Sequence, residues 1–143
     1  MNISPVTEND LESLAELYQQ LLPNEISIPA MRKVLEKNRD NPNHMVIAAK
    51  IDGRLVGTLL AVVCEMLFGQ CRSFMVIEDV VIDENNRRKG IGAAMIAYIE
   101  DYARKQDCSY IMLITDTDRK GSQTFYRSLG YQSDEFCAFK KKL

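Results

Sequence analysis

The stretch Val76-Ile77-Glu78-Asp79-Val80-Val81-Ile82-Asp83-Glu84-Asn85-Asn86-Arg87-Arg88-Lys89-Gly90-Ile91-Gly92 decides the reading of this chain. Its first half is apolar on alternate and adjacent positions, the pattern of a strand buried on both faces and hence of one central to a sheet. On alternation alone, Phe74, Val76, Val80 and Ile82 share one face, and Met75, Ile77 and Val81 the other. Asp83 to Asn86 breaks the strand. From about Gly90 to Gln106, Ile91, Ala94, Met95, Tyr98, Ile99, Tyr102 and Ala103 recur at helical spacing. Ser109 to Thr115 is then a second strand that reads as apolar on both faces. Strand, helix and strand make a βαβ unit, which predicts a parallel pair with a right-handed crossover.

Upstream of this unit, Asn2 to Pro5 reads as a short strand. Thr7 and Asp10 stand in a capping-box relation ahead of the stripe Leu11, Leu14, Ala15, Tyr18, Leu21 and Leu22, and Pro23 stops that helix. A second helix is expected from about Pro29, with Met31, Val34 and Leu35 on one side. Met45–Ile51 and Leu55–Met66 form a hairpin around Asp52-Gly53. Downstream, a helix over about Lys120–Leu129 ends at Gly130, and Phe136–Lys141 reads as a final strand. The fold class is therefore mixed α/β (α+β), with antiparallel strands first and a parallel unit later. At 143 residues and with no repeat or linker, the expectation is a single domain over 1–143.

Composition narrows the functional classes. Apolar residues make up 46% and charged residues 27%, with a net charge of −2. That balance disfavours non-specific nucleic-acid binding, which needs a clustered cationic excess. There is no span apolar enough to cross a membrane and no signal-peptide pattern, so the expected location is the cytoplasm. Cys64, Cys71, Cys108 and Cys137 form no C-x-x-C pair, and His44 is the only histidine. No metal site is expected. Cys64, Cys108 and Cys137 read as reduced core residues, and a Cys–His nucleophile is disfavoured.

The chemistry resides in Arg87-Arg88-Lys89-Gly90-Ile91-Gly92. A helix N-terminus exposes about four unpaired N–H groups and a partial positive charge. Glycines let a phosphate approach those groups, and Arg87, Arg88 and Lys89 add full charges. The segment suits a pyrophosphate. Taken alone, it reads equally as a solvated basic turn that starts a helix. Neither a Walker loop nor a dinucleotide fingerprint fits its spacing.

Together with Phe125-Tyr126-Arg127-Ser128-Leu129-Gly130-Tyr131, the segment Val76–Gly92 resembles the GCN5-related N-acetyltransferases (GNAT), whose hallmarks are [QR]-x-x-G-x-[GA] after the fourth strand and a later F-Y-x-x-L-G-[FY] block. The likeness spans roughly Ile47 to Lys141. It implies a central, mostly antiparallel mixed sheet with a splayed parallel strand pair and flanking helices. It also implies acetyl-CoA as cosubstrate. The pantetheine would pair with the backbone of Val80, Val81 and Ile82, and the pyrophosphate would rest on Arg87, Arg88, Lys89, Gly90, Ile91 and Gly92. The implied acid is Tyr126, whose bare alternative is an amphipathic core tyrosine.

Glu78 and Asp79 are unusual in an apolar strand, because burying an unpaired charge is costly. In a regular strand they would point to opposite faces, and a β-bulge, frequent in the family here, would change that. Their setting resembles the glucosamine-6-phosphate N-acetyltransferase branch, where the acidic pair lines the amino-sugar site. Glu78 is the expected base or amine anchor, with Asp79 beside it; the alternative is that the pair holds the sheet. Asp116 and Asp118 carry no assigned role, and Arg119 or Lys120 is the alternative contact for a CoA phosphate. Substrate contacts are expected from Tyr18 to Pro29, and a sugar phosphate would need cations such as Arg32, Lys33 or Arg54.

The resemblance thus implies direct transfer of an acetyl group to the primary amine of a small molecule, an amino sugar being the residue-level hint. The alternatives are a peptide or protein amine, or a non-catalytic acyl-CoA sensor. The expected partners are acetyl-CoA and the amine, without nucleic acid or membrane, and family analogy points to a homodimer.

Overall fold

A computed structural model describes residues 1–23 and 25–143. These fall into two compact units, Met1–Met112 and Leu113–Leu143, which are taken in turn. The first unit is built on a sheet of strands β1 (Asn2–Pro5), β2 (His44–Ile51), β3 (Arg54–Cys64), β4 (Ser73–Ile82) and β5 (Cys108–Leu113), in the order β1-β2-β3-β4-β5. The first three ladders are antiparallel. Helices α1 (Leu11–Leu21), α2 (Ile28–Lys37) and α3 (Ile91–Lys105) complete it, and the second unit carries α4 (Lys120–Ser128). The middle strand is β3, so β4 lies one place off centre.

The hairpin forms where the Asp52-Gly53 pair predicts, because both residues adopt positive φ, 49° and 79°, as a tight two-residue turn demands. The Thr7 N–H and hydroxyl both donate to Asp10 Oδ2 at 2.8 Å, and Lys50 Nζ from β2 reaches Asp10 Oδ1 at 2.6 Å. This closes a 3-10 turn ahead of α1 and ties the helix to the sheet. Ser27 caps α2 by accepting from the Ala30 N–H. Val6, Leu11, Leu14 and Ala48 form a buried cluster on this side of the sheet, with Tyr18, Met31 and Leu35 packed against it. Val34, expected beside them, is instead half exposed at 52%; one turn-position away from Leu35, it falls off the stripe.

On the opposite side, α3 lies against β3 and β4, contributing the fully buried Met95, Ile96 and Ile99. Gly57 permits this approach: a Cβ there would stand 2.7 Å from Ile82 Cδ1 and 2.8 Å from Met95 Sδ. The Tyr102 hydroxyl donates to the Pro42 carbonyl at 2.7 Å, anchoring α3 to the loop before β2.

The alternation expected for β4 is broken. Leu60 pairs with Glu78 but Thr58 pairs with Val81, so two positions on β3 face three on β4. Asp79, at φ 53°, is the bulged residue. One extra residue exchanges faces downstream of it. Val81 therefore joins Phe74, Val76 and Glu78 on the α1 side, and Ile82, opposite Gly57, joins Met75 and Ile77 on the α3 side.

Three further expectations need correction. β5 is not buried on both faces, since Tyr110 and Met112 are 50% and 41% exposed. Phe136–Lys141 forms no strand, and Phe136 and Phe139 are exposed; an alternating pattern makes a strand only when a ladder partner satisfies its backbone. Cys137 is exposed rather than a core residue, and all four cysteines are free thiols. The helix before Gly130 does form, ending at Ser128 with Gly130 at φ 91°.

The Asp10–Lys50 pair predicts an acid-sensitive fold. Desolvation raises the Asp10 carboxyl, but the hydrogen bonds from Lys50 and Thr7 and the Lys50 charge outweigh it and hold the group below its ordinary value of 3.8. A lowered folded-state pKa gives stability that is present above the unfolded value and lost as pH falls through the folded one. Urea unfolding between pH 7 and pH 2 will show Asp10→Ala costing roughly 3 kcal/mol at neutral pH. The gap to wild type will close as pH falls below 3.8.

Candidate active site

The first unit brings Glu78, Asp79, Val80, Val81 and Ile82 to within a few residues of Arg87–Gly92 along one strand-to-helix passage. The bulge leaves both Glu78 and Asp79 exposed, although they are neighbours that a regular strand would send to opposite faces. It also spoils the ladder locally, leaving β4 backbone without a β3 partner.

Within the first unit, the other edge of β4 outruns β5 over the same residues. Ser109 Oγ donates to the Ser73 carbonyl at 3.1 Å, and Phe74 stacks on Tyr110 with ring centroids 5.1 Å apart. Arg72 Nε meets Asp107 Oδ1 at 3.0 Å. These links lie at the starts of the two parallel strands. The pairs Ser73/Ser109 and Phe74/Tyr110 share an offset of 36 residues, which brings Met112 level with Val76. β5 ends one residue later, so the edge from Glu78 to Ile82 runs past its ladder.

After Ile82 the chain is shaped by side chains from elsewhere. Gln20, on the last turn of α1, donates through Nε2 to Asp83 Oδ1 at 3.2 Å and accepts the Glu84 N–H at 3.0 Å. Asn86 Nδ2 donates to Asp83 Oδ2 at 2.5 Å. The hydrogen bonds from Asn86 and then Gln20 lead the causes that hold the Asp83 carboxyl below its ordinary range. The Arg87 guanidinium turns back to donate to the Ile82 carbonyl at 3.1 Å, and Lys89 Nζ donates to Asn86 Oδ1 at 3.1 Å. Two of the three expected cations are thus engaged in building the loop. Among the described residues, no hydrogen bond or ion pair holds the exposed Arg88.

Arg88 and Gly90 both adopt left-handed backbone, at φ 59° and 79°, and alternating handedness of this kind turns successive N–H groups to one side. Gly90 is the N-cap of α3 and supplies no capping side chain, so the first-turn N–H groups keep no partner from the cap. Nothing lies within 4 Å of where a Gly90 Cβ would sit. The cradle fits a pyrophosphate in shape, polarity and charge.

In the second unit, the Tyr126 ring packs edge-on to Phe125 and Tyr131, with centroids 5.1 and 5.9 Å away. Its carbonyl accepts the N–H groups of Leu129 and Tyr131 at 3.0 and 3.1 Å. Of the expected substrate-contacting segment, Asn24 lies outside the described residues. Arg32 is paired with Glu8 at 2.7 Å, and Arg54 acts on Asp83. Sequence reasoning missed Gln20, whose link to Asp83 and Glu84 is long-range.

The family model for the acetyltransferase (GNAT) family matches residues 11–131. The chain belongs to the GNAT acetyltransferase family. Its members use acetyl-CoA as cosubstrate, and the chain is an acetyltransferase. It is 32% identical over 140 residues to a glucosamine 6-phosphate N-acetyltransferase of Trypanosoma brucei brucei, covering 94% of this chain and 91% of that one. It is 26% identical over 130 residues to an aminoalkylphosphonate N-acetyltransferase of Salmonella typhimurium, covering 91% and 84%. The crystal structure of glucosamine-6-phosphate N-acetyltransferase from Arabidopsis thaliana superposes with a TM-score of 0.85 at 20% identity over 98% of this chain and 97% of that one, which shows the shared fold. The mixed sheet with one parallel pair and flanking helices is the GNAT arrangement. No helix among the described residues is long and apolar enough to cross a membrane.

The left-handed N-cap gives a test of the cradle. Gly90→Ala places a Cβ at positive φ, at a cost of about 1–2 kcal/mol, and Gly90→Asn tolerates that backbone better. Thermal melts will show Asn recovering most of the stability that Ala loses. With the pyrophosphate expected on this cradle, calorimetric titration will show both variants binding acetyl-CoA at least about tenfold more weakly, because both add atoms to it.

Proposed function

We propose that this GNAT acetyltransferase moves the acetyl group of acetyl-CoA directly to the primary amine of a small phosphorylated or phosphonylated molecule, an amino sugar phosphate being the first choice. The observation that carries the reading is the β4 bulge, which exposes Glu78 and Asp79 together beside an open strand edge and an uncapped helix N-terminus. Among the relatives named for their substrates, two act on a glucosamine phosphate and on aminoalkylphosphonates, molecules that share an amine and a phosphorus-centred anion, and a third acts on an aminoglycoside. The family match spans residues 11–131, across both compact units, which supports one acetyltransferase domain over 1–143.

In this reading, the first-turn N–H groups of α3 with Arg88 take the pyrophosphate, while Arg87 and Lys89 hold the loop. The open edge of Val80, Val81 and Ile82 pairs with the pantetheine amides, and a β4 N–H donates to the acetyl carbonyl as charge develops on it. Asp79 anchors the substrate ammonium. Glu78 accepts the proton the amine must lose, directly or through water. The amine nitrogen forms the new C–N bond, the C–S bond breaks, and the CoA thiolate takes a proton from the Tyr126 hydroxyl. Well-placed acids and bases contribute about 10²–10⁴-fold each.

Acetyl-CoA will raise the melting temperature, as any ligand of the native state does. A thiol-release assay will show turnover with glucosamine 6-phosphate or an aminoalkylphosphonate. Tyr126→Phe will lose roughly 10²-fold or more in kcat and keep acetyl-CoA binding. No thermal shift with acetyl-CoA overturns the binding mode. Binding without turnover on any amine favours an acyl-CoA sensor, and unchanged kcat in Tyr126→Phe removes it as the acid.

A further inference from the structure

Gln20 is an exposed side chain on the last turn of α1, a place where a glutamine ordinarily meets only water. Here both ends of its amide are engaged. Its Nε2 donates to Asp83 Oδ1 at 3.2 Å and its Oε1 accepts the Glu84 N–H at 3.0 Å, from residues 63 and 64 positions further along the chain. A carboxylate only accepts and a backbone N–H only donates, so one orientation of the amide satisfies both. A glutamate there would set carboxylate against carboxylate. A lysine would leave the Glu84 N–H without its acceptor, and an asparagine is one methylene shorter.

Asp83 is where this contact enters the loop. Its N–H donates to the Val56 carbonyl at 2.9 Å and its carbonyl accepts the Asn86 N–H at 2.8 Å. Its Oδ2 accepts Asn86 Nδ2 at 2.5 Å, and Asn86 Oδ1 in turn accepts Lys89 Nζ at 3.1 Å. The side chains of Gln20, Asp83, Asn86 and Lys89 thus form one unbroken run from α1 to the residue before Gly90, the N-cap of α3. That run frames Arg88 and Gly90, whose left-handed backbones decide which way the N–H groups ahead of α3 point. Asp83 and Glu84 also place negative charge close to a cradle suited to an anion, which on charge alone opposes its binding. Both Asp83 oxygens are taken up by amide donors, so the carboxylate acts there as a hub for loop shape.

We infer that Gln20 is a positioning residue of the cosubstrate site: by holding Asp83 and Glu84 it fixes the aim of the amides over Arg88–Gly92, and so makes the preference for CoA thioesters over thioesters without a pyrophosphate depend on a side chain of α1. The inference rests on the reading that the pyrophosphate lies on this cradle and adds to it the residue, remote in sequence, that keeps the cradle in shape. Gln20 touches no part of the cosubstrate itself. It acts through Asp83, so removing either residue breaks the same run of bonds.

The test uses the full chain and two thioesters: acetyl-CoA, and S-acetylpantetheine, which carries the same acetyl and pantetheine groups and no pyrophosphate. Calorimetry measures the affinity of the first, and the displacement of ¹⁵N amide signals that of the second. The wild type will bind acetyl-CoA more tightly than S-acetylpantetheine. Gln20→Ala will weaken acetyl-CoA about three- to tenfold, the scale of losing roughly one hydrogen bond. Gln20→Met, which keeps the length of the side chain and loses the amide, will do the same. Both variants will bind S-acetylpantetheine within about twofold of the wild type, because it brings no phosphate to the cradle. Adding Gln20→Ala to Asp83→Ala will weaken acetyl-CoA little beyond Asp83→Ala alone, since the two act through one run of bonds. Equal losses for the two thioesters, or no loss for either, while the wild type keeps its preference for acetyl-CoA, overturn the inference. A wild type without that preference instead overturns the placement of the pyrophosphate beneath it.

Discussion

One extra residue in β4 is the constraint on which the site depends. Between the Leu60–Glu78 and Thr58–Val81 pairs, β4 carries one residue more than β3, and Asp79 takes a left-handed step there. That step does three things at once. It turns two adjacent carboxylates outward, frees a length of backbone from β3, and exchanges the faces of Val81 and Ile82. Ile82 then meets Gly57 and Met95, while Val81 goes under α1. The helix that starts at Gly90 and the helix that carries Gln20 are therefore packed on opposite faces of the same bulged strand.

The cradle shows a second economy. Arg87 and Lys89 look from their charge like phosphate ligands, yet both are held by neighbouring oxygens at about 3.1 Å. Their charges still favour an anion, but their hydrogen bonds are spent on loop shape. Backbone N–H groups and a helix dipole bind without a side chain's conformational entropy to lose. A loop rigid enough to aim them is worth more than one further flexible cation. Gln20, reaching from α1 to Asp83 and Glu84, couples that helix to the same loop.

Much of this was legible in the chain. The hairpin, the βαβ unit, the helix stripes and the basic glycine loop carry strong local signals, and each formed within a residue or two of its expected bounds. The failures share a cause. Val34, Tyr110, Met112, Cys137 and the Phe136–Lys141 stretch were read as buried or paired because they are apolar. Burial depends on what covers a residue, and pairing depends on a partner, neither of which a local pattern contains.

The sequence by itself determined the elements, their order, the family and the place of the basic glycine loop at a helix start, because periodicity, turn chemistry and a helix start are properties of neighbouring residues. Only the tertiary structure decided that Glu78 and Asp79 face outward together, that Arg87 donates to the Ile82 carbonyl, and that Gln20 reaches Asp83 and Glu84 from α1. Gln20 and Asp83 lie 63 positions apart along the chain. Their meeting follows from the register of β3 against a bulged β4 and from the packing of α1 on both strands, which are long-range outcomes that no window of sequence encodes.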